Sequence, residues 1–558
     1  MSINRRDLLK GAAILSGAAV LSGLAGCDNT KAPSGGDGSS NRKWDEEYDI
    51  VVVGAGGAGL VAAINAAVQD GDATIAVLEK TSSIGGSTGL SQGNIGANST
   101  DLLLDTYAKG NDFMGNDTVQ MYYEDKLASG MYLSDPDVAR VFCENSLENY
   151  NWLKSLGITW SANYRYEGAV YPSSDPLNAT ILGSSQYLQR FTNGVYQGIN
   201  RKSRYNYGPK YKDKTGGIGN IQCLLDTLEK YPNAQIITET AMKSIIRENQ
   251  TSGEVLGLMV SSGSSEKAIR AKRAVILACG GYAGNADMLN LHDPRVHVTT
   301  QTSGYTGNTG DGIIAAQFIG AQALNMHAIQ IDHGGTAVSA ADSLAGGPET
   351  NPFTNYNPAV YLDLNREGKR FWSELTNRSE QYMEAKMTCL HANGIKTWWK
   401  FGDSKSVASK NLTADQWATY KRVYGKECNT LEEVASVIGC NVATLKETIN
   451  RYNTFVDNKK DTDFGKETIY LTQKFDTPPY YVMEVTYYCR TTPGGLRINK
   501  NAEIIDFNGK PIPRLFGAGE VTGNTHGRFR NCGGDAWTDL VCFGRIAGTN
   551  AAKLTSAQ

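Results

Sequence analysis

YDIVVVGAGGAG, Tyr48 to Gly59, is an apolar run of strand length that stops at a glycine-rich turn. A helical stretch, LVAAINAAVQDG, follows, and then TIAVLEK, a second apolar strand that ends at Glu79. Strand, glycine-rich turn, helix, strand and terminal acid make one βαβ unit. The GxGxxG spacing alone arises by chance in a chain with 61 glycines, but here its whole context accompanies it. Gly54 makes the tight turn, Gly56 lets the backbone approach a pyrophosphate, and Gly59 lets helix and strand pack closely. The helix N-terminus then faces the phosphates. Glu79 accepts hydrogen bonds from the adenosine ribose hydroxyls, which disfavours a 2′-phosphate there.

Further along, AQIITET and KAIRAKRAVILACGGYAG read as later strands of the same sheet, the second ending in Gly280-Gly281. Between about Leu291 and Phe475 the chain is more polar, with helical stretches EQYMEAKMTCL and TLKETINRYNTFVD and no nucleotide fingerprint. The strand pattern resumes from Pro478, and RLFGAGEVTG ends another apolar strand at Gly517, Gly519 and Glu520. This predicts an α/β protein: a Rossmann-like domain in two parts, residues 46–290 and 476–558, with an α+β capping domain inserted over 291–475.

The chain has 558 residues, enough for two globular bodies. Its net charge of −3 gives no basic excess for phosphate binding, so no nucleic-acid partner is expected. Residues 1–27 read as an address: Arg5 and Arg6 in NRRDLLK, an apolar stretch from Gly11 to Leu24, then Leu24-Ala25-Gly26-Cys27. This resembles a twin-arginine export signal ending in a lipobox, with an N-terminal membrane anchor as the alternative. Cleavage and lipidation at Cys27 would leave residues 28–45 as a flexible tether. They would put the protein in the cell envelope, periplasmic or on the outer face of the cytoplasmic membrane, touching the membrane through its lipid. The other nine cysteines are scattered, with no CxxC or CxxCH, so neither a metal site nor a c-type haem is expected. They read as small buried hydrophobes.

Five blocks, taken together, resemble the flavoprotein fumarate reductase family, which includes urocanate reductases and is related to ketosteroid dehydrogenases. They are GAGGAG…LEK…GGST (Gly54–Thr88), ILACGGYAGN (Ile276–Asn285), NTGDG (Asn308–Gly312), NREGKRF (Asn365–Phe371) and GEVTGNTHG…GGDA…FGRIAG (Gly519–Gly548). The resemblance implies a glutathione-reductase-type fold and non-covalent FAD. Besides the fingerprint residues Gly54, Gly56, Gly59 and Glu79, it implies cofactor contacts from Ala58, Ser87, Thr88, Gly93, Met242, Asp311, Glu520, Ala536 and Trp537. The helix beginning near Asp535 would aim its positive end at the flavin pyrimidine ring. The family reduces an activated alkene with a hydride from the flavin and a proton through an arginine, which lands here on Arg378. Since arginine stays protonated, it serves as a conduit refilled by an acid, with Glu374 and Glu380 as candidates.

On the substrate side the resemblance implies His333, Arg530 and Gly534, with Arg528 open as an alternative clamp because the HGRFRNCGG block carries one extra residue. The family's Thr-Glu-x-x-Arg stretch has no counterpart, and a family histidine is replaced in YYCRTTPGG, where Arg490 or Thr491 stands. Half of a dicarboxylate clamp is therefore missing. Tyr356, Tyr361, Tyr480, Tyr481, Tyr487 and Tyr488 suggest a larger, flatter substrate, an aryl-acrylate or enone, although strands favour tyrosine in any case. No second nucleotide fingerprint, haem motif or cysteine cluster is present. Electrons are expected from a membrane cytochrome or a small flavin or haem carrier. The competing readings are a ketone or steroid dehydrogenase, a lipid-anchored solute-binding protein, and a non-catalytic flavin electron carrier.

Overall fold

A computed structural model describes residues 42–108, 117–161, 189–192, 195–198, 204–296, 301–336, 358–374, 387–408, 413–419, 421, 425–466, 468–528, 530 and 534–557. In chain order, the elements that matter for the site are β1 (Glu46–Val53), α1 (Gly57–Gln69), β2 (Ile75–Leu78), α2 (Val119–Ser129), β3 (Ala234–Ile237), β4 (Ala241–Asn249), β5 (Ser252–Ser262) and β6 (Ser265–Leu277). After these come β7 (Gln330–Thr336), β8 (Leu362–Leu364), β9 (Trp398–Gly402), β10 (Gly425–Cys428), α3 (Val442–Asn458), β11 (Tyr480–Thr491), β12 (Pro511–Gly517) and α4 (Asp535–Lys553).

The described chain divides into two compact units. The first comprises residues up to Asp293, Gly304–Gln330 and Thr491 onward; the second comprises Pro294–Ser303 and Ile331–Arg490. The return to the first unit comes after Arg490 rather than at residue 476. The reason is that β11 pairs antiparallel with β9 and β10 through Tyr480–Val485 and so belongs to the second unit's sheet.

In the first unit one sheet runs β4-β5-β6-β1-β2-β3, with β12 added beside β6. The neighbours of β1 are parallel, as is β12 against β6, while β4 and β5 form an antiparallel hairpin. Residues Ile50–Val53 and Ile75–Leu78 are fully buried runs, as expected for parallel strands covered on both faces. Register lines up Val53, Leu277 and Gly517, so the turns after β1, β6 and β12 emerge at one sheet edge. Such an edge, beyond the carboxyl ends of parallel strands, is where doubly wound sheets hold ligands. The β4–β5 hairpin was not read from the sequence.

The second unit has its own core. Leu362, Leu364, Phe401, Val434, Tyr452, Phe475, Tyr480 and Val482 pack together between its sheet and α3. The expected helix TLKETINRYNTFVD lies within α3, where Leu445, Ile449, Tyr452 and Val456 recur at helical spacing and are buried.

Candidate functional site

The three turn glycines meet different surroundings. Gly54 has φ +104°, and an added Cβ would lie 2.5 Å from the Ala278 carbonyl oxygen, so no side chain fits between β1 and β6. At Gly59 a Cβ would sit 1.9 Å from the Gly54 carbonyl oxygen, the close approach of helix to strand. At Gly56 nothing lies nearer than 3.9 Å. That open face sits at the N-terminus of α1, which has no side-chain cap; the Gly57 N–H alone is seen to reach a side chain, the Thr88 hydroxyl at 3.3 Å. Uncapped N–H donors over an open glycine form a place for a phosphate.

Glu79, at the end of β2, is buried and held in position. It accepts the Ala55 N–H at 3.2 Å on one oxygen and the Thr81 N–H and hydroxyl, both at 3.0 Å, on the other. The Thr81 hydroxyl also pairs with the Tyr305 hydroxyl at 2.7 Å, and the Tyr305 N–H donates to Ser87 at 2.8 Å. Lys80 bridges to Asp311 at 2.6 Å and to Thr309 at 2.7 Å. Thr81, Tyr305 and Asn308 therefore belong to this cradle. The NTGDG block hinted at Asn308, but nothing in the sequence singled out Tyr305.

Across the same edge Glu520 follows β12. One of its oxygens accepts the Thr491 hydroxyl at 2.7 Å and the Thr492 N–H at 2.8 Å; the other lies 3.5 Å from the Asn308 amide nitrogen. Burial raises its pKa, and Thr492 and Thr491 offset part of that rise. Gly281 permits this packing, since a Cβ there would lie 2.1 Å from the Thr492 hydroxyl. Thr491, expected beside the substrate, thus turns its hydroxyl to Glu520.

Gly534 precedes α4 in the left-handed region at φ +96°, and α4 has no side-chain cap. The Trp537 indole donates to Ser91 at 3.0 Å, the Ser91 hydroxyl accepts the Gly93 N–H at 3.1 Å, and Ala536 is part of the same first turn. Met242 is buried on β4 opposite Val260. The glycine face, oriented carboxylates and uncapped helix starts fit a dinucleotide of FAD's composition.

The candidate clamp arginines also differ. Arg528 is buried and donates to the His327 carbonyl, whereas Arg530 is half-buried and donates to the neutral Gln330 amide oxygen.

Within the second unit, His333 lies on β7, and Tyr488 and Arg490 stand two apart on the half-exposed face of β11. Tyr361 and Tyr480 are not lining residues of an open surface. Tyr361 is buried under the Lys400 ammonium at 3.4 Å, and Tyr480 stacks on Phe401 in the core. Glu374 is no mobile acid either. Arg370 grips both its oxygens at 2.8 and 2.7 Å, and Lys466 lies 3.3 Å away. Burial pushes its pKa up, but Lys466 and Arg370 outweigh this and hold it below the ordinary carboxylate range. Arg378, Glu380, Tyr356, Cys27, Cys532 and the signal stretch lie outside the described residues. Of the described cysteines, Cys143, Cys223, Cys428, Cys489 and Cys542 are buried, and none forms a disulfide with another described residue.

A sequence profile described as an FAD binding domain matches residues 49–535. A fumarate reductase (cytochrome) of Shewanella frigidimarina is 29% identical over 512 residues, covering 91% of this chain and 77% of that protein. A digoxin reductase of Eggerthella lenta is 27% identical over 595 residues, covering 99% of this chain and 97% of that protein. Among solved structures, the open conformation of a flavocytochrome c3 fumarate reductase superposes with a TM-score of 0.70 at 26% identity, covering 91% of this chain and 78% of that one.

Proposed function

Because this chain belongs to the FAD binding domain family across residues 49–535, we propose that it is an FAD-dependent reductase of an activated carbon–carbon double bond. Its substrate is an α,β-unsaturated acid or enone other than fumarate itself. The observation that carries this reading is the cradle at the sheet edge, with an open Gly56 face, a fixed Glu79 and a buried Glu520 in one unit. It is supported by similarity to a fumarate reductase over 91% of the chain and to a digoxin reductase over 99%.

Gly54, Gly56, Ala58 and Gly59 hold the pyrophosphate against α1, and Glu79 binds the adenosine ribose. Ser87, Thr88, Gly93, Met242 and Asp311 complete the cradle, with Glu520, Ala536 and Trp537 on the flavin side. FAD bound there supplies reversible two-electron storage and a hydride for the alkene. Arg378 passes the matching proton to the neighbouring carbon. With Glu374 locked to Arg370 and Lys466, Glu380 is the acid that refills it. Arg530 rather than Arg528 receives the substrate's carboxylate or carbonyl, because Arg528 is buried on a backbone carbonyl. His333, Arg490, Tyr488, Thr491 and Gly534 complete the substrate's surroundings, Thr491 acting through Glu520.

Electrons come from an external cytochrome or small flavin or haem carrier. Export follows the twin-arginine route, with the lipid on Cys27. Among the described residues no helix is long and apolar enough to cross a membrane.

The test is anaerobic. The chain from Cys27 onward, loaded with FAD and reduced by a viologen dye, is offered fumarate, urocanate, aryl-acrylates and enone steroids. Rapid dye oxidation by an enone or aryl-acrylate, lost in Arg378→Ala with FAD retained, is expected. Fumarate as the best substrate refutes the substrate assignment. No turnover on any alkene, with fast reduction of the oxidised protein by a saturated ketone, makes it a dehydrogenase.

A further inference from the structure

Behind the first turns of α4 lies a group of buried ionisable side chains that the alkene chemistry leaves without a task. Lys126 on α2, Asp535 and Asp539 on α4, and His526 in the preceding loop are all at most 7% exposed. The Lys126 ammonium sits 3.3 Å from Asp535 and 2.9 Å from His526 Nδ1, and the Tyr122 hydroxyl donates to Asp535 at 2.7 Å. An ammonium can only donate, so Lys126 occupies the lone pair of Nδ1 and the ring's own proton sits on Nε2. That nitrogen faces Asp539 Oδ1 at 4.0 Å. This oxygen is buried without a hydrogen-bond partner among the described residues.

The other charges around the group are accounted for. Arg204 pairs with Asp117 at 2.5 Å and with Asp125 at 2.9 Å, and its guanidinium lies over the Tyr122 ring. Phe142, from the helix Pro136–Glu144, covers Lys126 with its ring centroid 3.8 Å from the ammonium. Asp535 and Glu520 act on Asp539 as further acidic groups, Lys126 opposes them, and Thr525 lies beside it; Asp539 in turn helps push the neighbouring Cys542 thiol up, and Arg530 acts on His526. Counting Lys126, Asp535 and Asp539, the cluster carries one net negative charge when Asp539 is ionised and none when it is protonated. Burial raises Asp539 to about 6, and burial together with Lys126 holds His526 well below the ordinary imidazole range. Asp539 is therefore the member that exchanges a proton near neutrality. New negative charge beside the start of α4 makes its ionised form costlier still.

We infer that Asp539 is a redox-linked proton acceptor, binding one proton from solvent as two electrons from the external donor enter the cofactor at the N-terminus of α4. It releases that proton when the electrons leave. Asp539 contacts neither substrate nor cofactor in this scheme; it compensates charge, beside a Lys126 that is fixed on Asp535 and His526. The inference rests on FAD lying at that helix end.

The experiment is a reductive titration of FAD-loaded wild type and Asp539→Asn at stepped pH. Above pH 6 the wild type takes up as much as one more proton per two electrons, so its reduction equilibrium falls more steeply per pH unit than that of the variant, by up to about tenfold. Reduced-minus-oxidised infrared spectra of the wild type gain a protonated-carboxyl band that persists in Glu520→Gln. Equal pH slopes in the two FAD-loaded proteins overturn the inference alone. If Asp539→Asn does not fold, the wild-type and Glu520→Gln spectra decide, and absence of a new carboxyl band overturns it. Protein that binds no FAD overturns the premise and the inference together.

Discussion

Arg370→Met deletes one buried charge from the second unit while keeping most of the side chain's length. Arg370 is 8% exposed, and its guanidinium binds Glu374 through two nitrogens at 2.8 and 2.7 Å and reaches Asp461 at 2.9 Å. Without it, Glu374 keeps Lys466 at 3.3 Å and the Asp363 N–H at 3.3 Å, and Asp461 keeps the Lys466 N–H at 3.2 Å. Glu374 is then left with Lys466 as its cation, and Asp461 with the backbone N–H groups of Asp463, Phe464 and Lys466. Breaking a buried pair in this way costs about 3–5 kcal/mol. For a unit of this size that lowers the melting transition by roughly 6–20 °C. Calorimetry of the FAD-loaded protein reads the shift.

The pH dependence carries a sign. Burial raises the pKa of both Glu374 and Asp461, but Lys466 and Arg370 for the first, and Arg370 for the second, more than offset it, so both end below the ordinary range. Their stabilising contribution is present above the unfolded carboxylate values and is lost as pH falls through the lowered folded ones. The gap between wild type and variant is therefore widest near neutrality and narrows in acid. A shift under about 2 °C at neutral pH, or a gap that widens in acid, would refute this account of the cluster.

Three further outcomes are expected. Gly59→Ala and Gly56→Ala should part ways: the first forces a Cβ to within 1.9 Å of the Gly54 carbonyl and destabilises the apoprotein. The second has 3.9 Å of room, so it should melt like wild type yet release FAD at dilutions where wild type keeps it, read by flavin absorbance after gel filtration. Glu520→Gln should stabilise the apoprotein at neutral pH, because burial raises the Glu520 pKa and makes its charged form costly; denaturant titration should find the gain fading as pH falls past the ordinary glutamate range. Cys143, Cys223 and Cys542, buried and with thiol pKa values pushed up by burial, should react with a thiol reagent only after unfolding, checked by mass spectrometry of the labelled peptides.

The βαβ unit, the roles open to Gly54, Gly56 and Gly59, and the acid at Glu79 were all legible in the sequence. Each depends on residues close together in the chain, where glycine spacing, strand length and helical periodicity act directly on the backbone. The strands ending at Leu277 and Gly517 could be read for the same reason. Other features came only from tertiary structure. Thr491 and Thr492 reach Glu520, and Tyr305 reaches Thr81, because sheet register places distant turns at one edge. Tyr361 and Tyr480 could have lined a surface or filled a core; strand propensity favours tyrosine on either face, and only the packing against Lys400 and Phe401 decided for the core. Glu374 looked like a proton relay by its spacing from Arg378, but folding brings Arg370, Lys466 and Asp461 around it. The meeting of Lys126, His526 and Asp539 spans some four hundred residues of chain. Local sequence sets what a backbone segment can form, whereas a side chain's electrostatic partners are set by which distant segments the fold packs against it.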